Sequence, residues 1–352
     1  MWRPCGTFDT TFERDEAIVR TPLQWGLLAG GIIAVLFLPY IISGSTLNTV
    51  NLILITVISV QGINILTGMT GQITLGQTAF MAVGAYSMAL MVEYWHFSFW
   101  LSLPLAMLSS GLVGLVFGIP SLRIKGFYLA MATLAAQFII PWSIVNIRPD
   151  ITGGTDTLVV PAPRIGDFVM SSQTSMFYLC LILAILCTYF CRNILRSRVG
   201  RAFIAIRDND LAAESMGVGI FRYKLLSFFI CSVLAGLSGA LYAVWMRGVS
   251  IEHFTMNESI WQLGMLIVGG MGSPAGVWFG VIFIRGLDVL VRYIGPYVEP
   301  LFSADVGVAV SLGMGPVVFG SVGLAFIIFE PRGLYRLWER FKAFYRLWPF
   351  SY

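Results

Sequence analysis

About ten stretches of this chain stay apolar for some twenty residues at a time, and nothing else in the sequence constrains its fold so strongly. A bilayer core of about 30 Å takes roughly 20 mostly apolar residues per crossing helix. The runs lie near 23–42, 48–67, 72–92, 98–118, 127–147, 174–191, 223–246, 258–271, 275–293 and 308–329. The expectation is an all-α polytopic membrane protein with about ten transmembrane helices. Composition points the same way: 57% of the 352 residues are AVILMFWYC and 11% are charged, which excludes a water-soluble monomer. The third and eighth runs are the least regular, being punctuated by Gly68-Met69-Thr70-Gly71-Gln72 and by Gly269-Gly270-Met271-Gly272-Ser273-Pro274. Irregular backbone at depth survives only where it is buried in protein or lines water, so each is a candidate re-entrant segment.

The basic residues orient the helices, because cytoplasmic segments near helix ends are enriched in Lys and Arg. With the N-terminus inside, the inner segments hold seventeen of the 22 basic residues, and the outer ones hold only Arg148, Arg164, Arg247 and Arg292. Arg285 is left inside an apolar run. Both termini are therefore expected in the cytoplasm. The layout is a cytoplasmic N-terminal segment (1–22), a membrane domain (23–330) and a basic cytoplasmic tail (331–352). Acidic residues crowd the first 20 positions and no cleavable leader pattern is visible there.

Two connections are long. The outer one, 148–173, carries Asp150-Ile151-Thr152-Gly153-Gly154-Thr155-Asp156 and Pro161-Ala162-Pro163, and its turn chemistry predicts a compact cap. The inner one, 192–222, predicts a short helix from Arg201 to Met216 with Gly217 as its stop. If helices two to five and seven to ten are related, their offset of five makes the second set run the opposite way, as in an inverted repeat.

Several chemistries are excluded. The only lysines are Lys125, Lys224 and Lys342, none follows a glycine, and so no P-loop is present to hydrolyse ATP. His96 and His253 both fall at outer helix ends, where neither a zinc site nor a Ser-His-Asp relay can be assembled. Four of the five cysteines lie inside apolar runs, as small hydrophobes. No cofactor, no metal and no catalytic residue is expected, and a net charge of +4 clustered at helix ends does not describe a nucleic-acid surface. Arg285 and Asp288 are the ionisable residues expected at depth, three apart on one face, read either as a local ion pair or as part of a solute path. One buried acid is few for a proton- or sodium-driven carrier.

Two segments remain. The stretch Gly68–Tyr86 mixes small residues with Gln72, Thr74, Gln77 and Thr78, which suits either close helix packing or a neutral polar path for a small solute. Gly71 belongs to the same stretch, and the Gly269–Gly276 cluster has the same two readings. The inner loop Gly200–Gly219, with mixed charges, Ala212-Ala213 and terminal glycines, reads as a knob for insertion into a partner protein better than as a solvated loop.

These motifs resemble those of the permease subunits of branched-chain amino-acid ABC importers, of the M type. The resemblance covers roughly 48–330. It is carried by Gly62-Ile63-Asn64-Ile65-Leu66-Thr67-Gly68 running into Gly71-Gln72-Ile73-Thr74-Leu75-Gly76-Gln77, by Leu122–Ala130, by Thr152-Gly153-Gly154, by the inner loop and by Gly269-Gly270-Met271-Gly272-Ser273. It implies a multi-pass protein of a bacterial inner membrane. The implied partners are a second, H-type permease, two cytoplasmic ATP-binding subunits and a periplasmic solute-binding protein. The inner loop would be the coupling segment, with Arg207, Asp208, Ala213, Glu214 and Gly217 as contacts to an ATPase. Gly71, Gln72, Thr74, Gln77 and Thr78 are the candidates for the translocation path. The chain departs from the family pattern with Thr157 before Leu158 and with Gln77 where histidine is common. Both departures bear on the solute, since related permeases also move urea, short amides and other small polar solutes. The rivals are an ATP-independent carrier and a structural membrane protein, neither of which explains the inner loop.

Overall fold

The computed structural model describes residues 22–121, 128–154, 156–165, 168–170, 172–298, 304–330 and 332–347. The N-terminal segment, the motif residues 122–127 with Arg123 and Lys125, and the last five residues lie outside the described residues. Helices occupy all ten apolar runs: α1 (Pro22–Ile41), α2 (Gly44–Ile63), α3 (Gln77–Glu93), α4 (Phe99–Ser121), α5 (Tyr128–Asn146), α7 (Gln173–Arg196), α10 (Ile220–Met246), α11 (Met256–Gly269), α12 (Pro274–Val298) and α13 (Ala304–Phe329). Between them lie the short helix α6 (Pro149–Thr152), two inner-loop helices, α8 (Arg198–Asp208) and α9 (Asp210–Ser215), and the C-terminal helix α14 (Gly333–Leu347). Among the described residues six helices are long and apolar enough to cross a membrane, and α13 with α14 passes the same test as a pair bent by 50°. The protein is a helical, multi-pass membrane protein.

α2 is the central staff. It continues through a π-helical turn, Asn64–Met69, so that the span Gly44–Met69 is 26 residues long and is buried from Leu54 through Met69. One side of it, with Leu54, Ile55 and Ile58, joins the core formed with α3, α4, α7 and α10. Its other side, with Val57, Val60 and Ile63, packs on α11, α12 and α13. Small residues set the spacing in the first core. A Cβ at Gly84 or Gly239 would collide with the backbone of Gly236 or Met81, so α3 and α10 touch main chain to main chain.

α3 and α11 are the short members, 17 and 14 residues against 19 to 27 for the other eight. The predicted third helix loses its first five residues: 71–76 are non-helical before α3 begins at Gln77. Gly71 sits at φ +72°, and the Leu75 amide donates to Thr133 Oγ1 of α5 (3.1 Å) in place of a helical carbonyl. That satisfies a backbone donor which lipid could not. α11 is likewise led in by non-helical chain. The strand β4 (Gly248–Val249) and a 3-10 turn (Ile251–His253) precede it, and Gly270 at φ +113° ends it.

The outer loop is held in two places. α6 ends at Gly153 and Gly154, both at positive φ, and Thr152 Oγ1 donates to the Ile144 carbonyl (2.7 Å). The strand β1 (Leu158–Val159) pairs antiparallel with β4. A second ribbon joins β2 (Arg164–Ile165) to β3 (Phe168–Val169).

Two expectations are corrected. The single inner helix from Arg201 to Met216 is two helices, because Asn209 adopts extended backbone and its Oδ1 accepts from the Ala212 amide (3.1 Å), capping α9. Arg285 and Asp288 do not pair. Arg285 turns inward, 8% exposed, to Glu258 of α11, whereas Asp288 pairs with Arg292 one turn on (3.1 Å). Helix spacing identified a shared face, but tertiary packing supplied a nearer carboxylate for the arginine.

Candidate functional site

The lead-in segments of α3 and α11 approach from opposite ends of the molecule. Gly71 touches Arg207 of the inner loop, while β4 pairs with the outer-loop strand β1. The two helix N-termini then meet beside Ser59, near the C-terminal end of α2. The Thr78 amide donates to Ser259 Oγ (3.1 Å) and the Thr78 hydroxyl to the Thr255 carbonyl (2.9 Å). The Ala79 amide donates to Gln137 Oε1 of α5 (3.1 Å), and Gln137 Nε2 donates to the Phe254 carbonyl (2.9 Å). Each of these is a helix-end or loop group that the membrane core would leave without a partner.

Next to this junction Gln77 Nε2 donates to the Ser59 carbonyl (3.0 Å), and Cys231 Sγ donates to Gln77 Oε1 (3.2 Å). Ser59 Oγ in turn donates to Gln262 Oε1 of α11 (2.7 Å). The result is a neutral polar seam through α2, α3, α5, α10 and α11, and the side chains of Ser59, Gln77, Thr78, Gln137, Cys231, Ser259 and Gln262 in it are all buried. Gln77 and Thr78 are members of it. Thr74 is buried too, and Gln72 Nε2 donates to Ser227 of α10 (3.0 Å). Gly71, the fifth path candidate, lines an open cleft. Ser59, Gln137, Ser259 and Gln262 belong to the seam as well and were not singled out from the sequence. Their signal was available: each is a hydroxyl or amide set inside an apolar run.

The inner-loop knob grips both helix breaks. Arg207, at the end of α8, donates through Nη1 to the Gly68 carbonyl (3.1 Å) and pairs with Asp208 (3.0 Å). Gly68 packs directly on Gly272, and the Gly272 amide donates to Asn64 Oδ1 (2.8 Å). A Cβ on Gly68 would stand 2.5 Å from the Gly272 nitrogen, so glycine is required for the α2 and α11 breaks to touch. One arginine therefore holds the loop to a junction from which both half-length helices hang.

The two parts of the knob face opposite ways. Phe203 and Ile206 of α8 are buried, and Phe203 meets Tyr223 edge to face. α9 instead presents Leu211, 64% exposed, and Met216 just beyond it is 84% exposed. Among the coupling candidates, Asp208, Glu214 and Gly217 are exposed, Arg207 is engaged at the junction and Ala213 faces inward. Gly217 lies at φ +85° while its amide donates to the Glu214 carbonyl (2.9 Å) and that of Val218 to the Ala213 carbonyl (3.0 Å), closing α9 with a left-handed turn.

Residues 45–319 match the model of the family described as branched-chain amino acid transport system / permease component. The chain belongs to this family. Among branched-chain permeases, the High-affinity branched-chain amino acid transport system permease protein LivM of Salmonella typhimurium is 31% identical over 88% of this chain and 74% of its own length. LivM of Escherichia coli K12 is 31% identical over 84% and 71%. A probable LivM of Methanocaldococcus jannaschii is 24% identical over 66% and 67%. No solved structure matches. The chain is thus an ABC transporter permease of the branched-chain amino acid family, and its relatives are transport permeases.

Proposed function

We propose that this chain is one of two membrane permeases in an ATP-driven importer of a bacterial inner membrane, forming part of the path for branched-chain or related small amino acids. Its partners are a second, H-type permease, two cytoplasmic ATP-binding subunits and a periplasmic solute-binding protein. The membrane domain is 23–330 and crosses about ten times, α3 and α11 together with their lead-in segments included. Residues 1–22 and 331–352 are cytoplasmic, as the bias of Lys and Arg favours. The two half-length helices, each following an irregular lead-in from the opposite face, support an inverted repeat in which α2 and α3 correspond to α10 and α11.

The observation that carries the reading is the knob. α9 offers Leu211, Glu214 and Met216 to a partner, while Arg207 binds the junction beneath it. Asp208, Glu214 and Gly217 make the contact with the ATPase, and Ala213 holds α9 in place from within. When the ATPase moves the knob, Arg207 draws the Gly68–Gly272 junction with it, and the seam between Thr78 and Ser259 opens to solute. Gln72, Thr74, Gln77 and Thr78 then offer neutral hydrogen bonds, which suit a zwitterion beside two helix N-termini. Urea and short amides are the second reading, favoured by the buried amides of Gln77, Gln137 and Gln262.

The test starts by isolating the chain in mild detergent and identifying by mass spectrometry what accompanies it; an ATPase and a second permease are expected. Glu214→Lys and Gly217→Asp are then expected to separate ATP hydrolysis from uptake without blocking membrane insertion. A chain that purifies alone and moves amino acids in ATP-free liposomes would overturn the reading. So would normal uptake by both variants.

A further inference from the structure

An open cleft of ≈ 950 Å³ lies between the knob and α14. Its base is the junction itself, Gly68, Gly71 and Gly272, and its walls carry Arg207, Arg332, Arg336 and Arg340 with Glu339 as the acid. We propose that this cleft binds the phosphate headgroup of an anionic phospholipid.

Charge is the first ground. Arg336 and Arg340 share one carboxylate, Glu330 (3.6 and 3.0 Å), and Arg332 has no ion pair among the described residues. Arg207 spends part of its charge on Asp208. With Glu339 counted as well, four guanidinium groups face three carboxylates, so the cleft keeps one net positive charge, on groups that bind phosphate oxygens in pairs. Its volume falls within the range of about 300–1,000 Å³ usual for small-molecule sites.

The apolar surroundings select a lipid over a dissolved phosphate. α14 is amphipathic: Leu337, Trp338 and Phe341 are exposed on it, Trp338 stacks on Phe341 with ring centroids 6.0 Å apart, and Lys342 lies over Trp338 at 5.3 Å. Aromatic and aliphatic residues beside cations on one short helix fit the headgroup level of a bilayer. The cleft mouth adds Ile73 and Met271, 48% and 52% exposed, as apolar surface for the upper acyl chains. Tyr335, set between Ser273 and Glu339, joins α14 to the α11 break, so a bound headgroup would brace the same junction that Arg207 grips.

The experiment places the full chain in phosphatidylcholine nanodiscs with and without phosphatidylglycerol and reads retained lipid by native mass spectrometry. Phosphatidylglycerol is expected to stay bound. Arg332→Gln, which breaks no ion pair among the described residues, should lower retention by about fivefold, the worth of one basic group near an anionic surface. Glu339→Gln should raise retention, and Arg292→Gln, near the far end of α12, should leave it unchanged. The Glu339 variant carries the test if the Arg332 variant fails to insert. Equal retention in both cleft variants overturns the proposal. Displacement of the lipid by inorganic phosphate at equal concentration also overturns it, in favour of a dissolved anion. Expulsion of the lipid when the partner subunits assemble overturns it in favour of a protein interface.

Discussion

The two half-length helices are held at their lead-in ends by different physics. α3 is led in without a buried ion pair: the Leu75 amide donates to Thr133, Gly68 packs on Gly272, and Arg207, itself open to solvent, packs on Gly71 and donates to the Gly68 carbonyl. α11 is led in by a strand pair with the outer loop, and its first turn carries a charge pair, Glu258 with Arg285, whose Nη2 also reaches Thr56 of α2 (3.4 Å). Hydrogen bonds made by neutral groups, or by an arginine open to water, are individually weak and are exchanged for others at small cost. A desolvated ion pair is held far more firmly once formed. The comparison teaches that the outer end of the pair is anchored to α2 and α12, while the inner end is free to follow the knob.

The largest effect should come from the anchor. Arg285→Met leaves Glu258 facing a largely apolar interface, and about 2–3 kcal/mol of stability should go, discounted because the Glu258 side chain is 28% exposed. Thermal unfolding in detergent measures it. The double variant Arg285→Met with Glu258→Leu should recover most of the loss, since no lone charge remains. A double variant as unstable as the single one would mean that the arginine acts through its contact with Thr56 instead.

Next comes the inner junction. Gly68→Ala forces the two breaks apart by the clash of its Cβ with the Gly272 backbone, an overpacking cost of about 1–3 kcal/mol. The sharper expectation is functional: uptake falls at least tenfold while insertion and ATPase binding persist. Loss of ATPase binding along with uptake would show that the junction shapes the knob and does not merely follow it.

How far the sequence foretold these two ends differs for a physical reason. The helices themselves were legible because twenty consecutive apolar residues have few other fates, and the breaks were legible because Gly71, Gly270 and Gly272 occupy backbone that other residues resist. The pairing of Arg285 with Glu258 was not legible. It depends on the rotation of α12 against α11, which no single-helix periodicity contains. The fate of the inner-loop apolar residues was hidden for the same reason. Phe203 and Leu211 look alike in sequence, but the break at Asn209 turns one inward and the other to solvent. The seam was half legible: Gln72, Thr74, Gln77 and Thr78 stood out as a cluster, whereas Ser59, Gln137 and Gln262 are single polar residues scattered over three runs.

Between the two ends, Thr78→Val removes the hydroxyl that bonds the Thr255 carbonyl and Ser259 while preserving shape. A loss of about 1 kcal/mol is expected in thermal unfolding, because the Thr78 hydroxyl's bonds to the Thr255 carbonyl and to the buried Ser259 hydroxyl are lost. If the seam opens during transport, uptake should fall by more than that destabilisation explains. Uptake that merely tracks the melting temperature would make the seam a packing device alone, and would move the path to another face of α3.

The smallest expected effect is at the knob, and it is the one that separates movement from attachment. Asn209→Ala removes the side-chain cap of α9 and leaves every other contact in place, at a cost of about 1 kcal/mol confined to one short helix. Asn209→Gly should cost only a few tenths, since glycine tolerates the same extended backbone. Global melting should hardly change in either. If α9 must arrive as a preformed helix to engage a partner, ATP-driven uptake should fall severalfold in Asn209→Ala and recover substantially in Asn209→Asp, which restores the cap. Equal uptake in all three would place the coupling contact on α8, and with it the transmitting role on Arg207 and Asp208 instead of Leu211, Glu214 and Met216.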